Sequence, residues 1–132
     1  MQTVIKQDVI VAIISLVIAI AIYILFRNDI WAIESLGFGG LSTVTKPSGI
    51  LSDFFCYSIP DALWYFSLLI LQHRYLRMGT TINIILWYCA VLLPFVWELL
   101  QFIGCISGTY DVNDVVAYLI TLLIVLIWKR RI

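Results

Sequence analysis

The sequence predicts an all-α membrane protein, a bundle of four transmembrane helices with both ends of the chain on the cytoplasmic side. Three observations predict it. Of 132 residues, 63% are hydrophobic and 12% charged, whereas a soluble domain carries about 25% charged residues. The apolar residues fall in long runs divided by short charged clusters, as successive spans do. Six of the eight basic residues, Lys6, Arg74, Arg77, Lys129, Arg130 and Arg131, then share one side, leaving only Arg27 and Lys46 on the other. An excess of Lys and Arg marks the cytoplasmic face, so both ends are expected there. Seven of the eight acidic residues, all but Asp8, fall on or toward the outer side. No basic surface is available for nucleic acid, and membrane lipids are the expected surroundings.

The first span is expected over residues 9–26, an uncharged run of 18 residues and so about 27 Å of helix, enough to cross a hydrocarbon layer of about 30 Å. No small-residue cleavage site follows before Arg27, which argues for an uncleaved helix. The outer connection, 27–53, carries the breakers Gly37-Phe38-Gly39-Gly40 and Lys46-Pro47-Ser48-Gly49. The second span is expected over 54–72. Only ten residues separate Asp61 from Gln72, about 15 Å of helix, so the span must begin near Phe54 and carry Asp61 below the interface. Pro60 then either kinks this helix or sits in its first turn after a re-entrant segment over 54–59. The third span is expected over 80–102. The fourth, 113–128, is short: the 14 residues 115–128 give about 21 Å, which draws Asp114 to the boundary. Trp31, Trp64, Trp97 and Trp128 suit interfacial anchoring.

Asp61, Glu98 and Asp114 therefore lie at one level, within or at the edge of hydrocarbon and near the outer face. Ionisable groups at membrane depth are costly and mark function by default. Glu98 and Gln101, three residues apart, share a helix face with Pro94. Asp111 or Asn113 is expected to cap the last helix, and Asp61 and Asp114 could act as first-turn acids facing a positive dipole end. Capping explains Glu98 least, because it ends a helix where an anion is disfavoured. The expected site is Asp61, Glu98, Gln101 and Asp114, with Gln101 orienting Glu98. Such a cluster could share and transfer a proton, hold a divalent cation through oxygen ligands, or bind a cationic head group. His73, the single histidine, belongs to the inner side with Arg74 and Arg77. Cys89 is expected in packing, and Cys56 and Cys105 near the outer face. No Ser-His-Asp set, phosphate loop or CxxC occurs, so no residue is nominated as a nucleophile and the question of catalysis stays open.

The run Trp97-Glu98-Leu99-Leu100-Gln101, a short turn, and Tyr110-Asp111-Val112-Asn113-Asp114-Val115-Val116 resembles the C-terminal signature of VanZ-like membrane proteins. There a helix ending in Glu-x-x-Gln is followed by a polar turn and an Asp that opens the last span. The segment Ile59-Pro60-Asp61-Ala62-Leu63-Trp64-Tyr65-Phe66-Ser67 is similar to the start of the second helix in small members. The resemblance covers residues 58–127. It implies a multi-pass protein of the bacterial cytoplasmic membrane that binds or modifies an amphiphilic ligand at the outer leaflet, a lipid-linked wall intermediate or a lipoglycopeptide, and it implies a link to teicoplanin resistance. The chain departs from the pattern where members carry Arg in the turn, having Ser107-Gly108-Thr109, and where they carry Asn and Gly in the last span, having Tyr118 and Thr121. A different class of reading is an accessory or structural subunit whose acids meet a basic membrane-protein partner. A pore lined by the carboxylates fits less well, because they lie at one level and not along a span.

Overall fold

The computed structural model describes residues 2–26, 35, 37, 48–76 and 79–130, and the regular elements among them are all helical. Helix α1 spans Gln2–Phe26. A short α2, Ile50–Asp53, leads through one π-helical turn, Phe54–Ser58, into α3, Ile59–Leu76. Helix α4 spans Thr81–Phe102 and α5 spans Val112–Arg130. Most of the expected outer connection, including Arg27, Trp31 and Lys46, lies outside the described residues. Its last four residues, Ile50–Asp53, are helical and extend the second rod beyond its expected start.

Three helical stretches are long and apolar enough to cross a membrane: Lys6–Phe26, Ile50–Arg74 and Thr81–Phe102. Val112–Trp128 is apolar but shorter, in line with the short last span read from the sequence.

The segment before Pro60 is not re-entrant. The helix runs on through it, and the Ile59 N–H reaches back five residues to the Phe54 carbonyl. Proline has no N–H to donate, and its ring crowds the carbonyl four residues earlier, here Cys56. A wider π turn is a local way to carry a helix past that defect, and Pro60 ends buried.

Helix α3 is the hub, packing against α1, α4 and α5, while α1 packs chiefly on α3. Each helix turns one face inward. On α1 the buried residues are Ala12, Ser15, Ala19 and Ile22, spaced three, four and three apart. Small side chains along this stripe let two backbones approach closely, the usual basis of helix association in lipid. The contact is polar as well as close, since Ser67 Oγ donates to the Ala12 carbonyl at 2.8 Å. Between α3 and α4, Tyr65 donates its hydroxyl to the Val91 carbonyl at 2.9 Å. The Tyr65 ring meets Phe95 and Tyr118 edge to face, with centroids 6.3 and 5.5 Å away. On α5 the inward face is Ala117, Tyr118, Thr121 and Val125.

The outward faces are apolar too: Ile13 and Val17 on α1, Tyr88 and Leu92 on α4, and Leu123 and Ile127 on α5 are all exposed. Apolar outward faces of this kind suit a lipid surround, consistent with three stretches long and apolar enough to cross a membrane. Cys89, expected in packing, is on this outward face, while Cys56 is buried in the π turn and Cys105 is exposed after α4; all three are free thiols. His73 sits in the last turn of α3 and not in a loop, its ring 5.8 Å from that of Trp87.

Candidate functional site

The end of the bundle where α1 and α4 finish and where α2 and α5 begin holds a cleft of about 1090 Å³. Asp61, Glu98, Gln101 and Asp114 all line it, so residues that the sequence places at one depth also converge in space. Each is delivered by a simple local rule. Asp61 follows Pro60 in the first turn of α3. Glu98 and Gln101 are one turn apart on α4, on the same face as Pro94, which also lines the cleft. Asp114 lies in the first turn of α5.

Glu98 is only 5% exposed. Its Oε2 accepts the backbone N–H of Asp111 at 3.3 Å. That bond ties the end of α4 to the start of α5 and gives one oxygen of the carboxylate a donor where the helix dipole disfavours an anion. Asp111 in turn caps α5: its Oδ1 accepts the Asn113 N–H at 2.8 Å, and its carbonyl accepts the Asp114 N–H at 3.2 Å. Asn113 thus takes part in the cap as backbone donor, and Asp111 supplies the capping oxygen.

Gln101 has a different task from the one expected. Its amide donates to the Ser107 carbonyl at 3.5 Å, so it braces the turn, and the hydrogen bond to Glu98 comes from Asp111. The turn itself opens with a Schellman motif: Cys105 N–H bonds the Leu100 carbonyl at 2.9 Å and Gly104 N–H the Gln101 carbonyl at 3.0 Å, with Gly104 at φ +74°. Gly108, at φ +130°, lies so close to Gln101 that a Cβ there would collide with the side-chain amide. Gly108→Ala is expected to destabilise by about 1 kcal/mol or more, from strain at positive φ plus the displaced amide. Faster proteolysis of the 103–111 turn in the purified variant would report it, and unchanged proteolysis would show that Gln101 does not brace the turn.

Sequence reasoning missed part of the lining. Asp53, assigned to the outer connection, lines the cleft from α2, and Tyr57 does so from the π turn. Trp64 and Trp97, read as interfacial anchors, and Tyr118 also line it. A signal was present: Asp53, Tyr57, Asp61 and Trp64 are spaced four, four and three apart, the repeat of one helix face. It was hidden because the helix was expected to start after Asp53.

Among the described residues, no three His, Cys, Asp or Glu side chains are grouped so as to hold a metal ion. A divalent cation here would have to draw most of its oxygen ligands from elsewhere. Among the described residues no Lys, Arg or His lines the cleft. The described lining supplies carboxylate, amide, hydroxyl and aromatic groups. No known protein family, curated protein or solved structure matches the chain.

Proposed function

We propose that this chain is a VanZ-like protein of the bacterial cell envelope. In this reading it crosses the cytoplasmic membrane four times with both ends inside, and it binds an amphiphilic ligand at the outer leaflet. The observation that supports the reading most is the single cleft that gathers Asp61, Glu98 and Asp114 at one end of the bundle. Lys6, Arg74 and Arg130 belong to the opposite helix ends, so the positive-inside rule turns the cleft outward. Trp64 and Trp97 line the cleft while remaining 40% and 54% exposed. A ligand entering there meets both an apolar rim and a polar floor, which is what a lipid-linked wall intermediate or a lipoglycopeptide requires. Asp61, Glu98 and Asp114 are the binding groups, and they exchange protons or contact a cationic part of the ligand. Gln101 and Asp111 hold the turn that positions them.

Teicoplanin susceptibility tests this reading. In a sensitive host, wild type is expected to protect, and Glu98→Gln and Asp114→Asn at matched membrane levels are expected to abolish protection. Well-inserted wild type that gives no protection would remove the resistance function. Capture of a partner carrying a basic transmembrane helix would then favour an accessory subunit.

A further inference from the structure

We infer that the cleft takes the ammonium head of a cationic amphiphile. This deepens the proposed function and rests on its placing the ligand in this cleft.

The first argument is how the lining is composed. Each helix that supplies a carboxylate also supplies an aromatic ring beside it or one turn away. On α3, Asp61 lies between Tyr57 and Trp64; on α4, Glu98 follows Trp97; on α5, Asp114 precedes Tyr118 by one turn. Carboxylates paired with aromatic faces, and no cation among the described lining residues, are the arrangement that recognises organic ammonium groups. The rings attract the cation through their quadrupoles and replace its water, while the acids supply charge. A hydrated metal ion would gain nothing from the rings, and the acids favour a cationic group of the ligand over an anionic one.

The second argument is Glu98. It is buried, it lines the cleft, and its one hydrogen bond is the 3.3 Å contact from Asp111 N–H. A carboxylate so far removed from water calls for a positive partner, and the described residues around it supply none. An ammonium group in the cleft meets that need.

The third argument is access. Helices α1 and α4 are not packed against each other to any extent, because both lean on α3. Tyr23 of α1 and Leu93 and Trp97 of α4 line opposite flanks of the cleft. In this inference a chain attached to the head leaves between these two helices while the ammonium reaches Glu98.

The test uses the full chain purified in dodecyl maltoside, an uncharged surround. Isothermal titration compares decyltrimethylammonium, tetramethylammonium and decyl sulfate, with empty micelles subtracted. Saturable binding of decyltrimethylammonium is expected, tighter than that of decyl sulfate. Glu98→Gln and Trp64→Leu are each expected to weaken it roughly tenfold while retaining wild-type helicity. Because Trp64 is largely exposed, its variant keeps the test valid should Glu98→Gln fold poorly. Tetramethylammonium bound as tightly would still assign an ammonium site, with a free organic cation as its source. Decyl sulfate bound as tightly as the cation would overturn the ammonium assignment and leave the amphiphile site standing. Saturable binding of none of the three would overturn both. Undiminished cation binding in a folded Trp64→Leu would overturn the part given to the rings.

Discussion

Tyr65→Ala is expected to cost the bundle about 2–4 kcal/mol, the largest stability loss of any single side chain. Aromatic-to-alanine truncation in a soluble core costs about 3–5 kcal/mol, and the lower figure follows from the proposed lipid surround, which unlike water already solvates apolar surface. Tyr65 is fully buried on α3, the hub. It joins that helix to α4 through the Val91 carbonyl and to α5 through the Tyr118 ring. Removing it leaves a void where three helices meet, next to the Phe95–Tyr118 pair, whose centroids are 6.1 Å apart. Tyr65→Phe is expected to cost only about 1 kcal/mol, because the rings still interlock and one hydrogen bond is lost. Detergent-induced unfolding of the two variants would measure the difference. Equal losses would assign the junction to the hydroxyl and not to packing.

Thr109→Arg is expected to abolish binding of cationic amphiphiles, with a loss well beyond about tenfold. Thr109 is exposed and lines the cleft, so a long side chain can be accommodated and can reach inward. A guanidinium near Asp61, Glu98 and Asp114 supplies from within the charge that a ligand would otherwise bring. At an effective dielectric of about 20, a charge pair at 4 Å is worth about 4 kcal/mol, which a ligand would have to overcome. The same substitution is expected to raise the midpoint of thermal unfolding, because it adds a positive charge beside three neighbouring acids. Stability and binding should thus move in opposite directions. A variant that binds as wild type does would show that residue 109 lies too far from the carboxylates to reach them.

The common level of the carboxylates was an expectation drawn from the short apolar runs beside Asp61 and Asp114, and what the structure adds is that they meet in one cleft. Glu98 stood out because an acid at a helix C-terminus has no local explanation. The sharing of a face by Pro94, Glu98 and Gln101 followed from helical spacing alone. What spacing cannot supply is which helices touch. That depended on Tyr65 and on the stripe of Ala12, Ser15 and Ala19, small or ordinary residues whose meaning lies in how closely they allow approach. The role of Gln101 was missed for a related reason. Its partner, the Ser107 carbonyl, comes within reach only because Gly104 and Gly108 fold the turn back over the helix end. Asp53 was missed because the second span was expected to begin only at Phe54, and Tyr57 because the segment before Pro60 was left open to re-entry, whereas the helix starts at Ile50 and runs through the proline by widening one turn.

That every other long helix leans on α3 bears on how the protein is made. Helix α1 precedes α3 in the chain and packs chiefly on it. Once α3 is in place, α4 and then α5 each find a partner already present. No helix must wait for one synthesised later, apart from α1 waiting for its immediate successor. Assembly can therefore proceed in chain order around α3, with α5 packing on α4 as well when it arrives. The cleft takes Asp114 and Tyr118 from α5, so it is complete only once α5 has joined the other helices.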